Sequence, residues 1–444
     1  MLRRNINSDL LAWKKFQNHK ACLIEGARQV GKTYSVREFG RKNYACVYEL
    51  NFLEDEKLKQ IFSSSLDVDT IIAGIRLNFP EKTFVENETL VFLDEIQECP
   101  EAITALKFLS RDDRFDVIST GSALGLAYKS ATSFPVGSIF RLSMHPLGFE
   151  EFLHAVGVEG DIIDSLREHY ENRVQVSDAV HSKMLEYLTQ YIVIGGMPEV
   201  VQNYVDSNSL TVVHSIQKNI YQDYINDIAR FSSPDIKIKA ESCYKSIPQQ
   251  LTKENHKFQY SAVEKRGNAR KFESSVDWLI NAHLTKQVFN LNKIEYPCSS
   301  FKMNDNFRLY MNDIGLLVST YDISIKKALL SERDIEGNDG SNLVLRTAKG
   351  GIFESLAADI LAKNGHEELF FFRNKQGNIE IDFLIENENG ALPIEIKAGA
   401  KTKTKSLNRV LESDNVVQGY KFGSQNVGVL EKKTTLPLYM LMFV

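Results

Sequence analysis

The octapeptide GARQVGKT, Gly26 to Thr33, restricts the fold of this chain more than any other stretch. It fits GxxxxGK[ST], follows the apolar run ACLIE and opens a helix-like segment, as a phosphate cradle requires. The glycines let backbone N–H groups close around phosphate oxygens at a helix N-terminus, where the peptide dipoles favour an anion. Gly26, Ala27, Arg28, Gln29, Val30, Gly31, Lys32 and Thr33 are therefore read as an ATP-binding loop. Lys32 reaches the β and γ phosphates and Thr33 ligates Mg²⁺. Around it, the runs ACLIE, ACVYEL, LVFLDE and FDVIST alternate with amphipathic segments up to about residue 150. That alternation predicts an α/β core with a parallel sheet.

Two acids end the strand-like stretch LVFLDEIQECP. Asp94 fits the Mg²⁺-side carboxylate of a P-loop ATPase, and Glu95 fits the base that orients water against the γ-phosphate. The next run, FDVISTGS, brings Thr120 and Ser122 to a strand end, where a polar contact to the γ-phosphate sits; a polar turn with no ligand is the competing reading.

Beyond residue 150 the pattern becomes helical to about Arg230, broken by GGMPE at Gly195 to Glu199. Short helices and the strand-like TKQVFNL between about 240 and 300 suit a winged helix. EGNDGSN, Glu336 to Asn342, reads as a linker or surface loop. An α/β pattern then returns: GIFESLAADILAKNG, LFFFRN, IEIDFLIEN and LPIEIKAG. In the last two, Asp382 starts one strand while Glu395 and Lys397 stand two apart on the next, so alternation turns both to one face. A hairpin would set Asp382 beside Glu395, where the two hold one Mg²⁺ through hard oxygens. Lys397 then orients water or neutralises a phosphate, and Glu354 in the preceding helix completes the set. Solvated strand-edge charges are the alternative.

Net charge is -5 in 444 residues, which excludes a chain basic throughout but leaves room for local patches. Such patches occur at Lys397, Lys401, Lys403, Lys405 and Arg409, and in VEKRGNARKF. Each suits a nucleic-acid backbone or a merely solvated face. The five cysteines form no CxxC pair, which argues against a zinc site and for a reducing cytoplasm. No apolar run reaches membrane-spanning length.

Taken together, GARQVGKT, LDEIQ, STGS, PLGFEEFL, GGMPE and LYMNDIGLL resemble a large group of bacterial and archaeal AAA-type ATPases with a C-terminal domain similar to PD-(D/E)xK nucleases. The resemblance spans essentially the whole chain. It implies an AAA-type P-loop core over 1–155, a helical lid over 156–235, a winged-helix segment over 236–300 and a nuclease-like domain over 301–444. It also implies ATP and Mg²⁺ as cofactors, with Glu95, Glu354, Asp382, Glu395 and Lys397 as catalytic candidates. Thr33, Asp94, Asp382 and Glu395 are the expected metal ligands. Two departures stand out. Ser138 occupies a position where many members carry Arg, leaving Arg141 or a neighbouring subunit to supply a charge, and Ile381 replaces the proline before Asp382. The expected function is an ATP-hydrolysing switch coupled to a domain directed at DNA or RNA, with a homo-oligomer or protein partner conceivable. The alternative is a nucleotide-dependent interaction switch with an inert terminal domain.

Overall fold

The computed structural model describes residues 2–16, 20–122, 137–253, 255–331, 343–397 and 404–444. Glu336 to Asn342, Lys401 and Lys403 lie outside them. The fold class is α/β, and the chain divides into two compact units.

The first unit comprises Arg3–His145 with Asn281–His283. Its strands are β1 (Ala21–Glu25), β2 (Cys46–Asn51), β3 (Thr89–Asp94), β4 (Asp116–Gly121) and β5 (Ile139–Ser143), in the order β2-β3-β4-β1-β5, all parallel. Covered on both faces, β3 is buried at every position, which is why TLVFLD reads as a continuous apolar run and not an alternating one. Leu50, Val91, Leu93 and Val117 pack with Ile71, Ile75, Ile103 and Leu106 from the flanking helices. Each such side chain contributes about 1.5–3 kcal/mol by leaving water. Because β1 lies between β4 and β5, the loop after it opens where the strand order reverses, the place such sheets bind ligands.

The second unit takes Pro146–Ile280 and Leu284–Val444. It is helical to Leu251, with Asp178–Ile194, Leu210–Phe231 and Pro234–Leu251 the longest pieces. An eight-stranded sheet follows, built from β6 (Thr285–Leu291), β7 (Lys302–Met311), β8 (Leu369–Arg373), β9 (Glu380–Asn387), β10 (Gly390–Ile396), β11 (Gly419–Gly423), β12 (Gly428–Leu430) and β13 (Lys433–Pro437). The order is β12-β13-β11-β10-β9-β8-β6-β7. Strands β6 and β7 form an antiparallel hairpin whose β6 pairs in parallel with β8, so the sequence boundary at residue 300 falls inside that hairpin. The strand-like TKQVFNL thus joins the same sheet as the terminal segment. Helix Leu343–Lys363, β8, β9, β10, helix Lys405–Leu411 and β11 follow one another along the chain.

The motifs PLGFEEFL, GGMPE and LYMNDIGLL meet in one buried knot of the second unit. Asp313 caps the helix Ile314–Ser319 through the Leu316 N–H and accepts from the Gly196 N–H at 2.7 Å. Lys363 donates to Asp359 at 2.8 Å, to the Tyr191 hydroxyl at 3.0 Å and to the Leu147 carbonyl at 3.2 Å, and pairs with Asp313 at 3.4 Å. A Cβ on Gly315 would stand 2.3 Å from the Ile194 carbonyl oxygen, so only glycine admits this approach. These motifs therefore build a joint. Glu199 is exposed in the first turn of the helix Pro198–Ser207.

Candidate functional site

At the end of β1 the chain turns through Gly31, whose φ of 94° lies in the left-handed region and caps the helix Lys32–Asn43. The Lys32 ammonium donates to the carbonyls of Gly26 at 2.8 Å and Ala27 at 2.7 Å. Burial pushes its pKa down to about 8, against the opposing charges of Glu95 and Asp94. Ala27 and Val30 are buried, Arg28 is half-buried and Gln29 is exposed with φ 63°. The Arg4 guanidinium, also buried, donates to the Val30 carbonyl at 2.7 Å and the His145 carbonyl at 2.6 Å, bracing the loop from the N-terminal side.

Asp94 gathers the other predicted residues. It accepts from Thr33 Oγ1 at 3.0 Å, from Asn51 Nδ2 at 3.2 Å and from Thr120 Oγ1. Burial raises its pKa, and the Glu95 charge adds to the rise while the hydroxyl bonds oppose it. The paired Thr33 hydroxyl and Asp94 carboxylate are hard oxygen donors beside the phosphate loop, a set that fits Mg²⁺ completed by phosphate and water. Ser122 is buried just beyond β4. Glu95 follows in left-handed backbone (φ 52°, ψ 47°), and Gln97 Nε2 donates to its carboxylate. Such a backbone costs a non-glycine residue on the order of 1–2 kcal/mol. Arg141, half-exposed on β5, pairs with Glu25 at 3.6 Å.

In the second unit the three terminal candidates converge. The β9–β10 register, continued one step past Ile394↔Phe383, sets Asp382 opposite Glu395. Asp382 accepts from the Ile396 N–H at 2.7 Å, and Lys397 donates to Glu395 at 2.8 Å. Burial, then the Glu354 charge, raises the Asp382 pKa to about 7, with Lys397 and Arg308 opposing. Burial works against the Lys397 charge, but Asp382 and Glu395 outweigh it and raise its pKa. Glu395 is buried, and among the described residues its Oε2 has no hydrogen-bond partner. An unpaired buried acceptor costs about 1–3 kcal/mol or more when charged, so this oxygen fits a hard cation.

Glu354 is near enough for its charge to act on Asp382 and Lys397, and its carboxylate is also engaged by other donors. Its Oε2 accepts from Arg308 at 2.9 Å, His256 at 2.8 Å and Tyr310 at 3.3 Å. Burial disfavours its charge, yet Arg308 and His256 outweigh that and hold the carboxyl below its usual range. Arg308, with no exposed surface, also pairs with Glu380 and lies over the Phe371 ring at 4.2 Å. No group of three or more His, Cys, Asp or Glu among the described residues is arranged to hold a metal, so an ion at either site would take waters or phosphate as further ligands.

Sequence reasoning missed Asn51, Gln97, Arg4, Arg308, His256 and Tyr310. Asn51 stands at the C-terminal end of β2, where the open-sheet rule locates ligands, and Gln97 stands inside the quoted LDEIQ. Of the basic candidates, Lys405 and Arg409 are exposed one turn apart on the helix Lys405–Leu411, and Lys265, Arg266 and Arg270 are exposed before and in the helix Ala269–Asn281. All five cysteines are buried and free. No helix among the described residues is long and apolar enough to cross a membrane.

Comparison with known proteins matches residues 18–153 to an AAA domain. Residues 185–327 and 349–439 match two domains of unknown function, DUF8612 and DUF4143. An uncharacterized protein of Methanocaldococcus jannaschii, MJ1544, is 26% identical over 386 residues, covering 84% of this chain and 74% of its own. Among solved structures, the Walker-type ATPase PABY2304 of Pyrococcus abyssi aligns at TM-score 0.43 and 12% identity, over 72% of this chain and 95% of that one. The Aeropyrum pernix ORC1 protein, solved in complex with DNA, aligns at TM-score 0.29 and 12% identity, over 75% and 93%. The AAA-domain match covers nearly all of the first unit, and neither match in the second unit names a nuclease.

Proposed function

We propose that the chain hydrolyses ATP with Mg²⁺ and uses the cycle to control a metal-dependent, nucleic-acid-directed site in its terminal sheet. The observation that carries the first half is the meeting of Thr33, Asn51 and Thr120 on Asp94, next to Glu95 and the loop lysine. Asp94 would sit on the metal side and Glu95 would take the proton of the attacking water. Bound Mg²⁺ would neutralise developing phosphate charge. Spans 156–235, 236–300 and 301–444 act in this reading as lid, winged-helix segment and nuclease-like domain. The three helices Pro234–Leu251, Tyr260–Val263 and Ala269–Asn281 ahead of the β6–β7 hairpin support the middle assignment. Buried free thiols suit a reducing cytoplasm.

For the terminal site, the buried unpaired oxygen of Glu395 across from Asp382 supports metal binding, and Lys397 beside it supports a phosphate substrate. The second reading, an inert terminal domain in an interaction switch, draws on Glu354, whose Oε2 already accepts from Arg308, His256 and Tyr310. The test incubates the full chain with linear DNA, supercoiled DNA and RNA in Mg²⁺ or Mn²⁺, with and without ATP, beside Asp382→Ala. Cleavage lost in the variant supports the nuclease. No cleavage by either protein moves the assignment to the interaction switch.

A further inference from the structure

We propose that Gln97 is the second acceptor for the hydrolytic water, working beside Glu95. The proposal rests on the reading of Glu95 as the base and adds a residue to it. Gln97 sits in the short turn Ile96–Glu98 directly after β3 and Glu95. Its Nε2 donates to the Glu95 carboxylate. A carboxylate only accepts, so the amide nitrogen must face Glu95 and the amide oxygen must face elsewhere. That oxygen is buried, and among the described residues it has no hydrogen-bond partner. The neighbouring acid does not compete for the role, because Asp94 is already held by Thr33, Asn51 and Thr120. β1 and β3 run parallel in one sheet, so Glu95 and Gln97, just past the C-terminal end of β3, lie at the same sheet edge as the phosphate loop that follows β1.

The chemistry asks for two acceptors. A water that attacks phosphorus must present a lone pair to it, so both of its hydrogens must point away. A carboxylate satisfies one hydrogen and leaves the other free to swing the oxygen out of line. The unpaired Gln97 oxygen supplies the missing acceptor, and the bond from Nε2 keeps carboxylate and amide in one rigid pair. In the step itself the water oxygen bonds to the γ-phosphorus as the bond to the bridging oxygen breaks. That electron pair leaves with ADP, one proton passes to Glu95, and the other stays on the inorganic phosphate.

The test uses the full chain with Gln97→Leu and, as a length-preserving second variant, Gln97→Met, beside Glu95→Gln. Steady-state ATP turnover is measured together with titration of a fluorescent ATP analogue. For both Gln97 variants the expected result is a kcat about 10- to 100-fold lower, with KM and analogue Kd within about twofold. Turnover within twofold of the parent overturns the assignment. So does a raised KM with kcat unchanged, which makes Gln97 a nucleotide contact instead. Ordinary turnover by Glu95→Gln sinks the base reading itself, a separate failure.

Discussion

The two acidic sites treat their carboxylates in opposite ways. In the AAA-type domain Asp94 is surrounded by neutral donors, Thr33, Asn51 and Thr120, while the nearby cation, Lys32, is parked on backbone carbonyls. In the terminal sheet the acids face cations directly: Glu354 meets Arg308, Glu380 meets Arg308 and Arg373, and Glu395 meets Lys397. The first arrangement leaves its charges unspent until a ligand brings its own cation and phosphates. The second has settled most of its charge internally, with Asp382 and one oxygen of Glu395 left over. A site built for a visiting polyanion and a site nearly balanced at rest respond to different perturbations.

The largest contrast is expected from removing a single cation on each side. Lys32→Ala should lower ATP turnover by about 10³-fold or more while far-UV circular dichroism stays that of the parent, because at rest the ammonium bonds only two carbonyls of its own loop and its main work is on a bound phosphate. Retained hydrolysis would remove the distinction at its root. Arg308→Met, by contrast, should act on folding and lower denaturant stability by about 3–5 kcal/mol, since Glu354 and Glu380 lose their buried partner. Asn51→Ala at the other site gives up one bond to the Asp94 carboxylate and two accepted from the Leu53 and Glu54 amides but strands no buried cation partner, so it should cost less, about 1.5–2 kcal/mol. Equal losses in the two variants would contradict the comparison.

Next comes pH. The Asp382 carboxyl is raised from 3.8 to about 7 in the folded chain, so between these values the native state holds a proton that the unfolded state has released. Stability is therefore full below about pH 4 for this group and falls as pH rises through 7, by on the order of 2–4 kcal/mol. Asp359 in the Lys363 knot, also raised to about 7 by burial, adds a parallel decline. Urea midpoints at pH 5 and pH 8 in EDTA should show the slope, and Asp382→Asn should flatten only its own share. A slope that Asp382→Asn leaves untouched would assign the titration elsewhere.

The smallest effect falls on Lys32, whose pKa is lowered to about 8 in the nucleotide-free chain. Phosphates favour its charged form, so nucleotide binding takes up a proton above pH 8 and affinity weakens there, up to about tenfold per pH unit. Titration of a fluorescent ATP analogue from pH 7 to 9.5 measures it. A flat profile would mean the ammonium is not the phosphate contact.

The legibility of the two sites follows their locality. GARQVGKT declares itself because its loop, its lysine and its helix start are contiguous, and LDEIQ ends a strand whose apolar run is visible by eye. Thr120 was reachable as a strand-end residue, although its contact turns out to be Asp94. Alternation put Glu395 and Lys397 on one face and an expected hairpin brought Asp382 beside them, and β9–β10 pairing sets Asp382 opposite Glu395. Arg308 and His256 were not reachable. Their partner Glu354 is 46 and 98 residues away, and no local period links a β7 arginine to a distant helix. The boundary at residue 300 falls within the β6–β7 hairpin for a related reason. A parallel pairing such as β6 with β8 joins segments separated by a long crossover, so a change of local pattern is not a change of sheet.

The knot around Lys363 governs where the chain can be cut. Its contributors run from Leu147 through Tyr191, Gly196 and Asp313 to Asp359 and Lys363, so a truncation at residue 235 or 300 removes Asp313 and both C-terminal members at once. Such a fragment would keep the helices but leave the Gly196 amide without Asp313 and the Leu147 carbonyl with Tyr191 alone. Protein fragments meant to isolate a lid or a winged helix should therefore aggregate or degrade. Pro146 to Val444 is best handled as one indivisible piece.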